Sequence, residues 1–266
     1  MPTTLSAIHI FPIKSCAPLT LEKAEVESRG LAHDRRWVVT DTQHRALTGR
    51  QHPRLTLMHA RPDGDGLIVS APQMPDLKLV EPRAAERIDT KIWSDTVAAL
   101  PARGEADAWI SAFLGVDARL KFMDEVCVRE VERDFAQAGD AVSFADGFPL
   151  LLISEASLDA LNARLATPVS MLRFRPNLVV AGTDAHDEDR WKRIRIGAVE
   201  LDLVKPCARC VFTTVDFESG TFDPAGEPLR TLITYRRSPH GVTFGQNVIA
   251  RSLGEVRVGD AVEVLE

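Results

Sequence analysis

Apolar residues recur along this chain at two spacings, which divide it into many short strands and a few helices. Residues 5–13 are apolar and β-branched and are interrupted by Pro12, which predicts a strand running into a loop. Residues 36–40 predict another strand, closed by the polar turn Asp41-Thr42-Gln43. Residues 55–61 alternate apolar and polar, and Asp63-Gly64-Asp65-Gly66 then predicts a tight hairpin into a strand at 67–69. Short strands broken by turn signals at this interval favour a small barrel or sandwich over a βαβ array. Residues 105–114 differ: Trp109, Ile110 and Phe113 sit at helical spacing, and Gly115 stops the pattern.

The second half opens with a charged stretch, residues 128–140, which predicts a surface loop or a flap. A helix follows, with Ser154 as its N-cap, Leu158, Leu161 and Leu165 on one face, and Pro168 beyond its end. Strands are predicted again at 178–180, 199–203, 211–215 and 256–264. No internal repeat or low-complexity tract is visible. The expected fold class is α+β, mostly β, in two halves that meet around residues 115–130.

Composition narrows the function. Of 266 residues 45% are hydrophobic and 26% charged, which excludes wholesale disorder. A net charge of −6 does not suit a general nucleic-acid binder or a protein held on anionic membranes. The longest apolar run, residues 149–153, is far too short to span a bilayer. Met1-Pro2-Thr3-Thr4-Leu5 shows no export signal, so the four cysteines are expected to be reduced, in a cytoplasm.

The sharpest chemical feature is Cys207-Ala208-Arg209-Cys210. A structural zinc site needs four ligands, and only Cys16, Cys127 and scattered histidines remain to complete one. A redox pair of the thioredoxin kind sits at the start of a helix, whereas residues 211–215 read as a strand. A single thiolate can also ligate a soft metal, its neighbour being a bystander, and the bland alternative is two inert thiols. Cations at strand ends supply context: Lys14-Ser15 after the first strand, Arg35 before the second, Arg175-Pro176-Asn177 before 178–180, and Arg209 between the cysteines. Guanidinium forks, an ammonium, a hydroxyl and backbone N–H groups are what a phosphate needs, although no glycine-rich phosphate loop is present. From residue chemistry alone the chain carries a thiolate and an anion site.

Several longer motifs add a resemblance. Phe11-Pro12-Ile13-Lys14-Ser15-Cys16, Asp34-Arg35-Arg36-Trp37 and residues 48–55 resemble the N-terminal β-barrel that accompanies MOSC (molybdenum cofactor sulfurase C-terminal) domains. Residues 154–158, Phe174-Arg175-Pro176-Asn177, residues 207–216 and Phe244-Gly245-Gln246-Asn247 resemble the MOSC domain itself. Within that family the chain is most similar to the mitochondrial amidoxime-reducing component and its bacterial relatives, in order over essentially its whole length. The resemblance implies an N-terminal β-barrel domain at 1–122 and a MOSC β-barrel domain at 123–266, with a few peripheral helices.

It also implies a molybdenum–molybdopterin cofactor bound between the two, with Cys210 as the metal ligand and Cys207 not a ligand. The family's cofactor-gripping positions fall on Lys14, Ser15, Arg35, Arg175, Asn177, Ala208 and Arg209. Where the family has a Thr-Ser pair this chain has Gly147-Phe148, whose backbone N–H groups take over the contacts. Asp146 aligns with a family aspartate near the metal, where it relays protons or holds Arg175 by charge. The implied activity is reduction of N-oxygenated compounds such as amidoximes, hydroxylamines and N-hydroxylated bases. No iron–sulfur cluster is expected, because the four cysteines lack the CxxxxCxxC…C spacing of a plant-type centre. Electrons then come from a separate ferredoxin, flavoprotein or cytochrome-type reductase. The alternative is a carrier of the cofactor or of sulfur that reduces nothing.

Overall fold

The computed structural model describes residues 2–83, 86–239 and 241–266; Met1, the first residue of the stretch read above for an export signal, lies outside them. The chain is mostly β-sheet with three α-helices among the described residues, in keeping with the expected class.

The N-terminal segment contributes β1 (Thr4–Ile10), β2 (Leu19–Leu21), β3 (Lys23–Glu27) and β4 (Gly30–Leu31). It is followed by β5 (Trp37–Thr40), β6 (His59–Pro62), β7 (Gly66–Ser70), β8 (Leu77–Val80), β9 (Ile88–Ile92), β10 (Asp95–Pro101), α1 (Glu105–Leu114) and β11 (Arg119–Phe122). Two sheets, β5-β11-β10-β9 and β6-β7-β8, belong to this first half. Trp109, Ile110 and Phe113 of α1 join Trp37, Leu67, Leu79 and Leu120 in one buried cluster there. The helix ends as its sequence requires, at Gly115 with φ 70°, a left-handed turn in which glycine carries no Cβ penalty.

The second half supplies β12 (Leu150–Ser154), α2 (Glu155–Asn162), β13 (Leu178–Ala181), β14 (Arg193–Ile196) and β15 (Val199–Ala208). After these come β16 (Val215–Asp216), β17 (Thr221–Phe222), α3 (Leu229–Tyr235), β18 (Arg237–Ser238), β19 (Gly241–Ala250), β20 (Gly254–Arg257) and β21 (Val262–Val264). Strands run in the order β2-β1-β13-β12-β19-β15-β14-β21, with β18 paired to β19. The two ends of the path meet: Thr4 bridges Ala261, Leu5 N–H donates to Asp260 O at 2.9 Å and Gly259 N–H to Leu5 O at 2.8 Å. The sheet thus closes from β21 back to β1. Alternate residues fill its interior, Leu150 and Leu152, Leu178 and Val180, Ile194 and Ile196, Leu201 and Leu203. Leu151 and Ile153 of β12 face the other way, against Leu161 of α2, Leu232 of α3 and Phe244. With both faces covered, β12 is buried throughout and apolar up to its last residue, Ser154.

The sheets do not follow the linear division at 122/123. β1 and β2 lie in the large second sheet, and β3 pairs with β20 across more than 200 residues. Local pattern could not show this, because β1 has the same composition whichever sheet receives it.

Two further expectations change. Residues 55–61 are not one strand: Pro53 starts a 3₁₀ turn, Pro53–Leu57, and the strand begins at His59. Residues 211–215 are a 3₁₀ turn over Val211–Thr214, with only Val215–Asp216 extended. Thr213 and Thr214 hydroxyls donate to Cys210 O (3.0 Å) and Val211 O (2.8 Å), a local alternative to the ladder that outweighs the strand propensity of Val-Phe-Thr-Thr-Val. The stretch 128–140 lies at the surface but is tied down. Glu130 bridges Ala141, Val131 is buried, and Lys205 Nζ donates to Glu132 at 2.7 Å.

Candidate functional site

Between the first-half sheets and the closed second sheet lies a cavity of about 280 Å³. Its wall contains every residue singled out above, from Lys14, Ser15 and Arg35 through Asp146 to Arg175, Asn177 and Cys210. They arrive from five separated segments.

The first is the turn after β1. Pro12 ends the strand, Cys16 N–H closes back on Ile13 O at 3.0 Å, and Ser15 takes φ 68°. This turn aims Lys14 Nζ at Asp146 Oδ1 (2.5 Å) and Phe144 O (2.8 Å). Ser15 Oγ accepts from Gly49 N–H at 3.0 Å, so its hydroxyl fixes the 48–50 loop. The wall at Gly49 tolerates no side chain, since a Cβ there would overlap the Phe212 ring. Arg35, at φ 50°, is engaged by protein through three of its donors: Nη1 donates to buried Asp34 (2.5 Å) and to Asn177 Oδ1 (3.0 Å), Nη2 to Arg175 O (3.2 Å). Asn177 also accepts from Leu151 N–H (3.2 Å) and donates to His9 O (3.1 Å). Arg35, itself held by Asn177, thus braces Arg175, and both residues line the cavity.

Arg175 caps the 3₁₀ turn Met171–Phe174 at φ 58°. Its guanidinium lies 3.9 Å from the Phe11 ring centroid, and Nη1 donates to Cys16 O at 2.6 Å. Nη2 is buried with no partner. Burial first, and the Arg35 charge second, push its pKa down to about 9. An anion beside Nη2 relieves both the missing bond and the unfavourable charge. Arg209 repeats the theme: Nη1 contacts Cys207 Sγ at 2.9 Å, Nη2 donates to Phe174 O at 2.5 Å, and Nε is buried without a partner.

The loop at 143–148 forms the opposite wall. Arg129 holds it by donating to the carbonyls of Ser143 (3.0 Å), Ala145 (2.6 Å) and Asp146 (2.9 Å). Asp146 pairs directly with Lys14, and its charge also acts favourably on the Arg175 guanidinium without a hydrogen bond between them. Enclosure in the cavity raises its pKa, but the Lys14 ammonium, bonded to it, and the more distant Arg50 outweigh this and hold the carboxyl well below the usual range. Lys14 shifts the other way: burial outweighs the attraction of Asp146 and lowers it to about 8. At Gly147 a Cβ would meet no atom within 4 Å, so its backbone faces open space, whereas the Phe148 ring turns towards Phe135 (centroids 6.1 Å).

Cys207 and Ala208 are the last two residues of β15, and Cys210 precedes the Val211–Thr214 turn; both thiols are half-buried. Arg50 Nη1 donates to Cys210 Sγ at 3.3 Å, which sets a guanidinium beside that sulfur. Cys16 is the opposite case: complete burial raises its thiol to about 11 and leaves it inert. Among the described residues no three His, Cys, Asp or Glu side chains converge as a metal-binding group.

Arg50, Thr48, Arg173 and Lys205 also line the cavity and were missed as site residues. Arg50 and Thr48 stand inside a motif already noted, and Lys205 immediately precedes Pro206-Cys207. Only the fold shows that these residues share one wall and that Arg50 reaches Cys210.

The fold and cavity can now be compared with known proteins. Residues 2–117 match the MOSC N-terminal beta barrel domain and residues 139–263 the MOSC domain. Mitochondrial amidoxime-reducing component 1 of Homo sapiens is 35% identical over 98% of this chain and 83% of its own length. The chain belongs to the MOSC family of the amidoxime-reducing components. Component 1 of Danio rerio is 35% identical over 97% of this chain and 83% of its own, and component 2 of Homo sapiens 34% over 97% and 82%. In this MOSC protein the two matched segments supply the opposing walls of one cavity: Lys14, Ser15, Arg35 and Arg50 from the first, Asp146, Arg175 and Cys210 from the second. No helix among the described residues is long and apolar enough to cross a membrane.

Proposed function

We propose that this chain is a molybdenum-cofactor-dependent reductase of N-oxygenated compounds, working in a cytoplasm with electrons from a separate redox protein. The observation that carries the reading is the unpartnered, buried Nη2 of Arg175 in the same cavity as the Cys210 thiol. A phosphate-bearing pterin with a soft metal needs both: donors without partners for its anionic end and a thiolate for its metal.

Arg175 Nη2 and Arg209 Nε are the free donors for the phosphate, with Lys14 as a neighbouring cation. Arg35 and Asn177 hold Arg175 in place, and Ser15 holds the 48–50 loop. Cys210 serves as the metal ligand, with the Arg50 guanidinium beside its sulfur, while the Cys207 sulfur is engaged by Arg209. Gly147 leaves the wall open where a side chain would intrude. When bound, the cofactor supplies two-electron oxygen-atom chemistry, so that an N–OH group takes up two electrons and two protons and leaves as an N–H and water. The Lys14–Asp146 pair, with the ammonium shifted to about 8, is the protein's own store of exchangeable protons beside that reaction.

The test is elemental analysis and benzamidoxime reduction by a chemical reductant, on protein from a molybdenum-replete host. The expected result is molybdenum in one-to-one ratio with the chain and turnover, both lost in Cys210→Ala and kept in Cys207→Ala. Equal loss in both variants, or zinc in place of molybdenum, overturns the assignment. Full cofactor with no turnover leaves the carrier role instead.

A further inference from the structure

A second hollow, about 200 Å³, adjoins the main cavity and shares Thr48 with it; its other lining residues are Arg45, Ala46, Lys91 and Trp93. Trp93 stands between the two. Its indole receives the Arg50 guanidinium 4.0 Å from the ring centroid and Lys14 Nζ at 5.6 Å, both of them residues of the main cavity. Arg50 in turn reaches Cys210 Sγ at 3.3 Å. One guanidinium thus links the thiol to the indole.

Three features of Trp93 do not suit an incidental surface residue. It is 52% exposed, although burying an indole is among the largest apolar gains a side chain offers. It stands in the two-residue connection between β9 and β10, where Ile92 pairs with Asp95, and it adopts φ 55°, a position usually given to glycine or asparagine. The hairpin is also fixed from both sides. Asp95 accepts from Arg129 Nε at 2.7 Å, the same arginine that holds the Asp146 loop, and Ala46 N–H donates to Lys91 O at 2.9 Å. A strained, rigid loop thus presents a large aromatic ring at a cavity mouth, an arrangement that serves ligand recognition better than stability.

The charges beside it are also selective. Arg45 is engaged by Asp41 (2.7 Å) and Gln43 (2.8 Å), whereas Lys91 has no side-chain hydrogen bond or ion pair among the described residues. The hollow therefore offers an aromatic face, an available ammonium and the Thr48 position it shares with the main cavity.

We propose that this hollow is an outer subsite that binds the body of the substrate: a planar aromatic or heteroaromatic ring stacked on Trp93, with an anionic substituent towards Lys91. The proposal rests on the reductase reading for the reaction but concerns binding, which is measured separately. The oxidised nitrogen points towards Cys210 past Arg50, and the ring stays outside the cofactor cavity.

The experiment is calorimetric binding of benzamidoxime, 4-carboxybenzamidoxime and acetamidoxime to wild type, Trp93→Ala, Trp93→Phe and Lys91→Ala, with steady-state reduction of the same compounds alongside. Loss of a stacking face raises the Kd and KM of benzamidoxime about tenfold in Trp93→Ala, and Trp93→Phe recovers most of it. The aromatic-to-aliphatic ratio of kcat/KM falls by a similar factor. Lys91→Ala removes the preference for the carboxylated compound, about three- to fivefold. An aromatic-to-aliphatic ratio and a benzamidoxime Kd that stay within twofold of wild type in Trp93→Ala overturn the subsite while leaving the reductase reading intact. Trp93-dependent binding without any reduction has the reverse meaning: the subsite stands and the reductase reading falls.

Discussion

Arg175→Met separates the two things Arg175 does. The variant keeps an unbranched stem over Phe11 and removes the guanidinium. In the ligand-free protein, the loss is the Nη1 bond to Cys16 O at 2.6 Å, a charge-assisted bond of about 1.5–3 kcal/mol, together with the cation–π contact to Phe11, about 1–2 kcal/mol. The gain is removal of the buried, partnerless Nη2, which costs the native protein about 1–3 kcal/mol. Methionine sulfur against the Phe11 ring returns roughly 0.3–1.5 kcal/mol more. These terms nearly cancel, leaving a net destabilisation of about 0–2 kcal/mol, or a fall in Tm of only a few degrees. For the cofactor there is no such cancellation. One charge-assisted bond to phosphate is worth about 1.5–3 kcal/mol, a factor of roughly 10–150 in affinity. Pterin fluorescence of the purified variant, compared with wild type through successive dialysis steps, reads the affinity; calorimetric melting of the dialysed protein reads the fold. Pterin retained at the wild-type level refutes the phosphate role. Ligand-free melting lowered by more than about 10 °C refutes the ledger, because Arg175 is then holding up the fold.

Two further predictions concern buried groups. Lys14 has a pKa of about 8 in the folded chain, below the ordinary lysine value, so between pH 8 and about 10.4 the unfolded chain binds more protons and stability rises with pH. That contribution is complete above the ordinary value and is lost as pH falls through 8; with its partner Asp146 largely exposed it amounts to roughly 1–2 kcal/mol. Urea melts at pH 7.5, 9 and 10.2 show this slope in wild type and its disappearance in Lys14→Met; an identical slope in both assigns the effect elsewhere. Ser154→Ala removes the cap on Ser157 N–H (3.1 Å) and one partner (2.8 Å) of Glu188, which is 1% exposed. A lost cap and an under-bonded buried carboxylate together cost about 2–4 kcal/mol, so Tm falls by roughly 5–15 °C, and a fall under 2 °C refutes the network's importance.

What the sequence showed and what it hid follow from the range of the interactions. Helices α1 and α2 were legible because their signals are local: Gly115 in a left-handed turn, Ser154 bonded three residues ahead. The cations of the cavity were legible as residue types at strand ends. Their partners were not. Lys14 meets Asp146 across 132 residues and Arg50 meets Cys210 across 160, distances over which no periodicity runs. The bracing contacts of Arg35 and Asn177 were hidden for the same reason, since each bonds to remote backbone that only the assembled fold supplies. Trp93 was passed over because an aromatic residue in a hairpin connection carries no motif.

The long reach of these contacts also explains how a strained cavity persists. Ser15, Arg35 and Arg175 all hold positive φ, and Arg175 and Arg209 keep buried donors unpaired, so the site draws on stability from elsewhere. Its source is the closed sheet. β1 pairs with β13 through four residues and is joined to Ala261 at its start, and the chain leaves β1 directly into the Lys14-Ser15 turn. On the neighbouring strand, β13, the chain arrives from Arg175 and Asn177. Two adjacent strands of one hydrogen-bonded ladder therefore carry the opposing cations of the cavity, and their separation is set by the ladder register, Ile8 opposite Leu178. Because the N-terminal segment crosses into the second sheet, that register fixes where Arg175 stands, with its Nη2 left without a partner.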